Sequence, residues 1–271
     1  MTTEILLKNE GIELFAPLPF EECRVINDRL LQRLEFVPRS VLMLIIPYFA
    51  GTPEGNLSLY ARSKDYHLYA KELWERLSPS LSSLYPQNRF ALFSDHSPID
   101  ERHAAALAGL GCIGDHGLLI TEKYGSFVFL CEILSDLDPS VLPKTDMAQE
   151  HRDLCLHCGS CKKACPCHFE SCASGIGQKK GELTPEEEAL VLKTKLLWGC
   201  DLCQTSCPLN KRVQKTDIPF FYEERIESLT PEILEGLQGD AFKERAFAWR
   251  GRKTVERNMA IFEEARNAKQ E

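Results

Sequence analysis

Residues 155–166 read CLHCGSCKKACP, in which four cysteines are separated by two, two and three residues and are followed directly by proline. This C-x2-C-x2-C-x3-C-P pattern is the signature of a bacterial-type 4Fe-4S cluster. Closely spaced cysteines in a tight loop supply three thiolates to one cubane, and the fourth cysteine binds a neighbouring cluster. The stretch therefore predicts a ferredoxin-like module with two clusters.

A second cysteine group occupies residues 199–210, GCDLCQTSCPLN, and is one cysteine short of repeating the first. One predicted cluster takes Cys155, Cys158, Cys161 and Cys207, and the other takes Cys165, Cys200 and Cys203. Either Cys172 or Cys167 completes the second set. The spacing favours Cys172, because only Pro166 separates Cys167 from Cys165, which leaves little room for both to reach one cubane.

Zinc is the alternative metal, since C-x2-C pairs also build zinc sites, but the uninterrupted triple and the Cys-Pro at both groups favour iron and sulfur. Three histidines, His151, His157 and His168, lie near the cysteines, and we expect them to be solvated or hydrogen-bonded rather than ligands. The remaining cysteines are predicted to be small core residues: Cys23, Cys112 and Cys131.

The 271-residue chain has 44% hydrophobic and 27% charged residues, which is typical of a globular protein. Its formal net charge of -8 argues against a broad basic surface that binds nucleic acid nonspecifically. Acidic residues Glu4 and Glu10 interrupt the start of the chain where a signal peptide would be basic and then apolar, so we expect a cytoplasmic protein. The apolar run from Val41 is shorter than the ~20 residues of a membrane span, and no membrane association is expected.

Apolar periodicity predicts a mixed α/β first half. The predicted helices are PFEECRVINDRLLQRLEF, SKDYHLYAKELWERLSPSLSSL and ERHAAALAGL, and the predicted strands are VLMLIIP, RFALFS, GLLIT and SFVFLCEIL. Further along, Thr184 and Glu187 form the capping box of a helix between the two cysteine groups, and Thr230 starts another helix. The predicted domains are an α/β domain over 1–149, a ferredoxin-like two-cluster module over 150–215 and a helical tail over 216–271.

Gly109, Gly111 and Gly114 spell G-x-G-x-x-G, the pattern of a dinucleotide-binding turn. That turn must follow a strand and open a helix, whereas here a predicted helix precedes the glycines and a strand follows them. We interpret the segment as a helix-to-strand turn.

Several segments together resemble the epoxyqueuosine reductase family, which is related to corrinoid reductive dehalogenases. They are YARSKDYH from Tyr60, SDHSPIDER from Ser94, AGLGCIG with YGSFVFLCEIL, CASGIGQKKG from Cys172, and GCDLCQTSCPLN. The resemblance implies a nitroreductase-like domain that binds cobalamin beside the two-cluster module. It also implies reduction of epoxyqueuosine to queuosine in a tRNA anticodon by a monomer, with electrons from an external low-potential donor.

The resemblance further implies that Asp95 is the proton donor and that Cys172 is the extra cluster ligand. The implied cobalamin contacts are Tyr60, Asp95, Leu119, Leu130, Ser174 and Asp201. A proton donor near neutrality needs a raised pKa, which burial of Asp95 beside the corrin would supply. Without the resemblance, Asp95 is better interpreted as the cap of a helix that begins near Ile99.

This chain departs from the family pattern at two places. Cys112 and Asp115 stand where a tryptophan and a basic residue are usual, and ASGIGQKKG follows Cys172 where Tyr, Leu and Thr are usual. The second departure weakens the tRNA assignment relative to the corrinoid one. The alternatives are a corrinoid reductase of another small epoxide or halide, and a two-cluster electron-transfer protein without corrinoid.

One basic segment, FKERAFAWRGRKTVER, favours contact with RNA, because cations and interleaved aromatic rings suit phosphates and bases. Its basic residues are Lys243, Arg245, Arg250, Arg252, Lys253 and Arg257, and its later aromatic residues are Phe247 and Trp249. An amphipathic surface helix is the alternative interpretation.

Overall fold

The computed structural model of the chain describes residues 2–146 and 153–268. Contacts divide the chain into two compact units that do not follow it linearly. Unit 1 comprises Met1–Tyr48, His67–Cys158 and Val213–Ile218, and unit 2 comprises Phe49–Tyr66, Gly159–Arg212 and Pro219–Glu271. Among the described residues, none of the helices is both long enough and apolar enough to cross a membrane.

Helices and strands alternate in the first half of the chain and helices follow in the second, which confirms the predicted mixed α/β class. The first half contains α1 Thr3–Asn9, β1 Leu14–Pro19, α2 Asp28–Leu31, β2 Ser40–Pro47, α3 Tyr66–Leu84, β3 Phe90–Phe93, α4 Glu101–Leu107, β4 Cys112–Ile113, β5 Leu119–Ile120 and β6 Val128–Ser135. The second half contains α5 Ser160–Ala164, α6 Ala173–Gly177, α7 Pro185–Thr194, α8 Leu202–Thr205, α9 Pro231–Gly236, α10 Gly239–Lys243 and α11 Arg252–Asn267.

An antiparallel sheet of order β1-β2-β6-β3 forms the centre of unit 1. Every residue of β2 is buried, as its continuous apolar sequence predicts for a strand covered on both faces. One face packs Val41, Met43 and Ile45 against Ala104 and Ala105 of α4. The sheet therefore anchors the segment between β3 and α4, which contains Asp95.

The helix predicted for residues 19–36 is wrong, because only a 3-10 turn at Phe20–Glu22 and the short α2 are helical there. Backbone pairing with a distant segment replaces the helix. The N–H groups of Ile26 and Asn27 donate to the carbonyl of Pro98 at 2.9 and 3.1 Å, and Val25 forms a bridge with Ile99. These long-range hydrogen bonds outweigh a local periodicity that the sequence shows only weakly.

The glycine segment is a helix-to-strand turn, as predicted. Gly109 follows α4 with φ +78°, a left-handed conformation that glycine adopts without strain, and β4 begins at Cys112. A side chain at Gly111 would lie 2.3 Å from the carbonyl oxygen of Ile120, so the close approach of β5 requires glycine there.

Unit 2 is built around short helices and a buried segment from the first half of the chain. Thr184 and Glu187 form the predicted capping box at the start of α7, and Thr230 caps α9. The core packs Leu57 against Trp198 and Phe247. Residues 57–62 thus lie beside the second cysteine group, although about 140 residues of sequence separate them.

Candidate metal centre and catalytic loop

Four cysteines of unit 2 lie close enough to influence one another. Cys165 ends α5, Cys172 is the N-cap of α6, and Cys200 and Cys203 flank the start of α8. The pKa of Cys200 is raised to about 11 and that of Cys203 to about 12, mainly by burial and to a smaller extent by the thiols of Cys172 and Cys165. Buried thiols without a neighbouring cation ionise when a metal displaces the proton, so this donor set fits a metal cluster.

Cys167 is placed differently from these four. It is buried in an apolar cluster with Ala173, Ile176 and Val191. Cys165 and Cys200 also pack against this cluster. Both candidates for the eighth ligand therefore lie near Cys200, and the choice of Cys172 stays a prediction.

The other predicted ligand set is divided between the two units. Cys155 and Cys158 belong to unit 1, whereas Cys161 and Cys207 belong to unit 2 and are buried. Cys161 lies in α5, which begins after Gly159 at φ +70°, and Cys207 precedes a turn that starts at Pro208.

The segment around Cys155 is held by hydrogen bonds within unit 1. His157 Nδ1 lies 2.8 Å from an oxygen of Asp115, and Nε2 lies 3.0 Å from an oxygen of Asp153. These two carboxylates raise the pKa of His157 to about 9. Asp153 also accepts a 3.0 Å hydrogen bond from the N–H of Cys155. His157 is thus a hydrogen-bonding residue, as predicted, although its ring lies within 4.8 Å of the Cys155 and Asp115 donor atoms.

Cys112 belongs to the same arrangement, and the prediction that it is a core residue is wrong. Its side chain is partly exposed and its Sγ accepts a 3.2 Å hydrogen bond from the N–H of Leu154, because β4 passes beside this segment. Cys23 and Cys131 are buried, as predicted. His168 is exposed in a left-handed turn, and His151 lies outside the described residues.

Asp95 lies in the turn between β3 and α4. It has a left-handed backbone with φ +60°, its N–H donates to Glu101 Oε1 at 3.0 Å, and its carbonyl accepts from Ser97 at 3.0 Å. Its side chain is 72% exposed, with His67 Nε2 3.9 Å from the carboxylate. The protein alone leaves this carboxylate exposed, so burial of Asp95 beside a corrin stays a prediction.

The interpretation of Asp95 as a helix cap is also wrong. Asp100 is the N-cap of α4, and its carboxylate accepts from the N–H of His103 at 3.3 Å. The strained turn at Asp95 thus has no capping role. Residues held at positive φ are concentrated at functional sites, where surrounding contacts maintain them.

Two acidic residues behind this turn were missed by sequence reasoning. Glu132 lies in β6 with no exposed surface, and the polar groups next to its carboxyl are the side chains of Ser97 and Glu101. Burial raises the pKa of Glu132 well above its ordinary value, and the adjacent Glu101 raises it further. Burial also raises the pKa of Glu101 to about 7. The sequence signal that could have identified Glu132 is an acidic residue inside the apolar run SFVFLCEIL.

Three predicted cobalamin contacts lie together in unit 2. The Tyr60 hydroxyl accepts a 3.0 Å hydrogen bond from Trp198 Nε1. Gln178 Nε2 donates to Tyr60 at 3.4 Å and to Ser174 Oγ at 2.7 Å. Burial raises the pKa of Asp201 to about 6, and its Oδ1 is buried without a partner among the described residues. An unpartnered buried acceptor fits a ligand that carries N–H donors.

The other two predicted contacts lie in unit 1. Leu119 is 2% exposed and belongs to the hydrophobic core, where it packs against other protein side chains. Leu130 is half-buried against the same core, and its carbonyl accepts a 3.1 Å hydrogen bond from Ser94, the residue before Asp95.

The basic segment is neither one helix nor wholly available for RNA. Arg245 donates to the carbonyl of Glu224 at 2.6 Å, Arg252 to that of Leu234 at 2.6 Å, and Phe247 is fully buried. Arg257 donates to three carbonyls, those of residues 177, 179 and 181. The exposed members are Lys243, Trp249 and Lys253, with the Arg250 guanidinium 3.7 Å from the Trp249 ring centre.

Curated proteins are similar to most of this chain. The chain is 31% identical to the epoxyqueuosine reductase of Listeria monocytogenes over 95% of this chain and 72% of the relative. It is 34% identical to the epoxyqueuosine reductase of Synechocystis over 72% of this chain and 71% of the relative.

A crystal structure of an epoxyqueuosine reductase with an epoxyqueuosine-modified tRNA stem loop has the same fold, with a TM-score of 0.74 and 23% identity over 96% of this chain and 80% of that one. No protein-family model matches the sequence. The two relatives above 30% identity, each matched over more than two thirds of its length, establish that this chain belongs to the epoxyqueuosine reductase family of oxidoreductases.

Proposed function

We propose that this protein reduces epoxyqueuosine to queuosine in tRNA. The observation that carries the proposal is the turn that projects the exposed carboxylate of Asp95 from a rigid sheet, in a chain that also assembles four cysteine thiols. Reduction of an epoxide to an alkene consumes two electrons and two protons and releases the oxygen as water. The protein must therefore supply a proton where the electrons arrive.

In this proposal, Asp95 donates a proton to the epoxide oxygen as its carbon–oxygen bond breaks. The protein leaves this carboxylate open to solvent, so the bound substrate and cofactor must exclude water from it before it can remain protonated near neutrality. His67, 3.9 Å from the carboxylate, is placed to hold its orientation.

The cofactors of the proposal are cobalamin and two 4Fe-4S clusters. One cluster would be held by Cys155, Cys158, Cys161 and Cys207, and the other by Cys165, Cys172, Cys200 and Cys203. Bound clusters would supply single-electron transfer, and bound cobalamin would supply a strongly reducing cobalt centre. The residues proposed to hold the corrinoid are Tyr60, Asp95, Leu119, Leu130, Ser174 and Asp201.

The same proposal assigns finer fold classes to the predicted domains. Residues 1–149 are proposed to be nitroreductase-like and residues 150–215 to be a ferredoxin-like two-cluster module. The short helices that carry the unit 2 cysteines, each of four or five residues, suit the tight loops of such a module.

The test uses protein reconstituted anaerobically with iron, sulfide and cobalamin, a strong reductant and tRNA that contains epoxyqueuosine. Mass spectrometry of the digested tRNA should detect queuosine. Asp95→Asn should abolish its formation while iron, sulfide and cobalamin contents remain those of the wild type. Asp100→Asn is the matched control, because it changes a carboxylate in the same segment and preserves the cap of α4.

Two results would contradict the proposal. Wild-type protein that retains cobalamin and clusters but forms no queuosine would favour a different reducible substrate. Protein that binds no cobalamin under these conditions would favour an electron-transfer role.

A further inference from the structure

Glu132 occupies an unusual position for an acidic residue. It pairs with Met43 of β2 on one side and with Phe93 of β3 on the other, so its backbone lies in the interior of the sheet. A buried carboxylate without a cationic partner is so costly that the group favours its protonated form. Burial accordingly raises the pKa of Glu132 well above its ordinary value.

Few polar or charged groups surround the Glu132 carboxyl. Ser97 and Glu101 are its polar neighbours, and Cys131 and Cys23 are neutral thiols nearby. No cationic group influences Glu132 among its electrostatic neighbours. Two adjacent carboxyls in such surroundings cannot both ionise, so one proton is shared between them.

Glu101 connects this buried group to the exposed turn. Its Oε1 accepts the N–H of Asp95 at 3.0 Å. Arg102 is a cation that acts on its carboxyl, and the Arg102 guanidinium also donates to the carbonyl of Gly117 at 2.7 Å. Asp95 itself raises the pKa of Glu101. Burial raises the pKa of Glu132 more than that of Glu101, so Glu101 is the member of the pair that ionises first, and its Oε1 holds the Asp95 backbone.

We propose that Glu101 and Glu132 share one proton and act as positioning residues that hold the Asp95 turn in its left-handed conformation. This inference rests on the proposed function of Asp95 as the proton donor. A charge-assisted hydrogen bond to the Asp95 N–H offsets the strain of a non-glycine residue at φ +60°. Because Glu132 holds the shared proton, Glu101 can be negatively charged without a second anion buried next to it.

The shared proton is tested by infrared spectroscopy of the wild type near neutral pH, with Glu132→Gln, Glu101→Gln and Glu21→Gln for comparison. A protonated-carboxyl band should be present in the wild type and in Glu21→Gln, an exposed control, and absent from Glu132→Gln. A wild-type spectrum without this band, or a band that persists in Glu132→Gln, would contradict the claim that Glu101 and Glu132 share a proton.

The pH dependence of stability tests the same pair independently. The pKa of Glu132 is higher in the folded protein than in the unfolded chain, so the folded state binds more protons between those two values. Stability from this group is present at low pH and is lost as the pH rises through the folded pKa. The melting temperature of the wild type should fall relative to that of Glu132→Gln as the pH rises from about 5 to 8. Parallel profiles would contradict the inference.

The positioning role is tested by hydrogen exchange at the Asp95 amide and by kinetics. Glu101→Ala removes the acceptor, so the amide should exchange faster, whereas Glu101→Gln retains an acceptor oxygen and should largely restore protection. In turnover, kcat of Glu101→Ala should fall ~10- to 100-fold with KM for tRNA unchanged, because the turn and not the binding surface is altered. Equal exchange in Glu101→Ala and wild type would overturn the role.

Failure of the proposed function gives a different result from failure of this inference. If no variant forms queuosine, the wild type included, the infrared, melting and exchange measurements still decide whether the pair exists and holds Asp95. If the wild type is active and Glu101→Ala matches it, the inference fails while the proposed function stands.

Discussion

The carboxylate of Asp201 accepts a 2.7 Å hydrogen bond from the backbone N–H of Leu59. Asp201 lies between two cysteines of the second group, so this bond ties the metal-binding segment to residues 57–62. Arg62, itself fully buried, is the cation that lowers the pKa of Asp201 against the larger effect of burial. The cysteine segment is thus fixed by a contact with a distant part of the chain.

Replacement of Asp201 by alanine should destabilise the protein by about 1–3 kcal/mol, because the buried N–H of Leu59 loses its acceptor. Asp201→Asn retains an acceptor oxygen and should cost less. The melting temperature of anaerobically prepared protein measures the difference, at ~2–4 °C per kcal/mol for a chain of this size. Equal melting temperatures for Asp201→Ala and the wild type would show that this bond does not stabilise unit 2.

Cys172 and Cys167 offer a direct test of the second ligand set. Cys172→Ala should lose about four irons per chain, because a 4Fe-4S cluster lacking one thiolate is not retained. Cys167→Ala, the matched control, should keep the full iron and sulfide content, since Cys167 packs among apolar side chains. Iron and sulfide analysis after anaerobic reconstitution measures both. Iron loss in Cys167→Ala but not in Cys172→Ala would show that Cys167, and not Cys172, is the cluster ligand.

Cys112 should stabilise the segment that carries Cys155. Cys112→Ala removes the acceptor for the N–H of Leu154, so we expect faster hydrogen exchange in residues 153–158. Cys112→Ser keeps an acceptor atom and should exchange at an intermediate rate. Cys23→Ala is the control, because the thiol of this buried cysteine donates weakly to the carbonyl of Pro19. Unchanged hydrogen exchange in Cys112→Ala would show that Cys112 does not stabilise residues 153–158.

The sequence correctly predicted the structural features that depend on residues close together in the chain. The capping box at Thr184 and the glycine turn at Gly111 each depend on residues close in the chain, and both were predicted. The position of Asp95 in a functional turn came from the resemblance, and the structure removed the competing helix-cap interpretation by assigning that cap to Asp100.

The failures share a long-range cause. Arg257 was interpreted as a free cation, but it donates to the carbonyl of Gly177, 80 residues away. Glu132 was overlooked because its burial depends on strands that are distant in sequence. Cys112 departs from the family pattern, and only the fold shows that it contacts the Cys155 segment. Spacing and periodicity carry no information about such partners.

Trp249 is the exposed aromatic residue best placed for contact with RNA in the basic segment. Its side chain is 58% exposed and stacks on the guanidinium of Arg250. Stacking of a base on an aromatic ring contributes about 1–3 kcal/mol, so Trp249→Ala should weaken binding of the tRNA stem loop by roughly 5- to 150-fold. Lys253→Ala should weaken binding less and reduce its salt dependence, because it removes one phosphate contact.

Tyr222→Ala is the matched aromatic control for Trp249, since Tyr222 is 45% exposed in the same unit but outside the basic segment. Fluorescence anisotropy of a labelled stem loop, measured at two salt concentrations, separates the stacking and phosphate contributions. If Trp249→Ala and Tyr222→Ala bind equally, the segment does not contact the stem loop. In that case the segment is an ordinary protein surface. Its arginines Arg245, Arg252 and Arg257 donate to backbone carbonyls of the protein, and its remaining exposed cations face solvent.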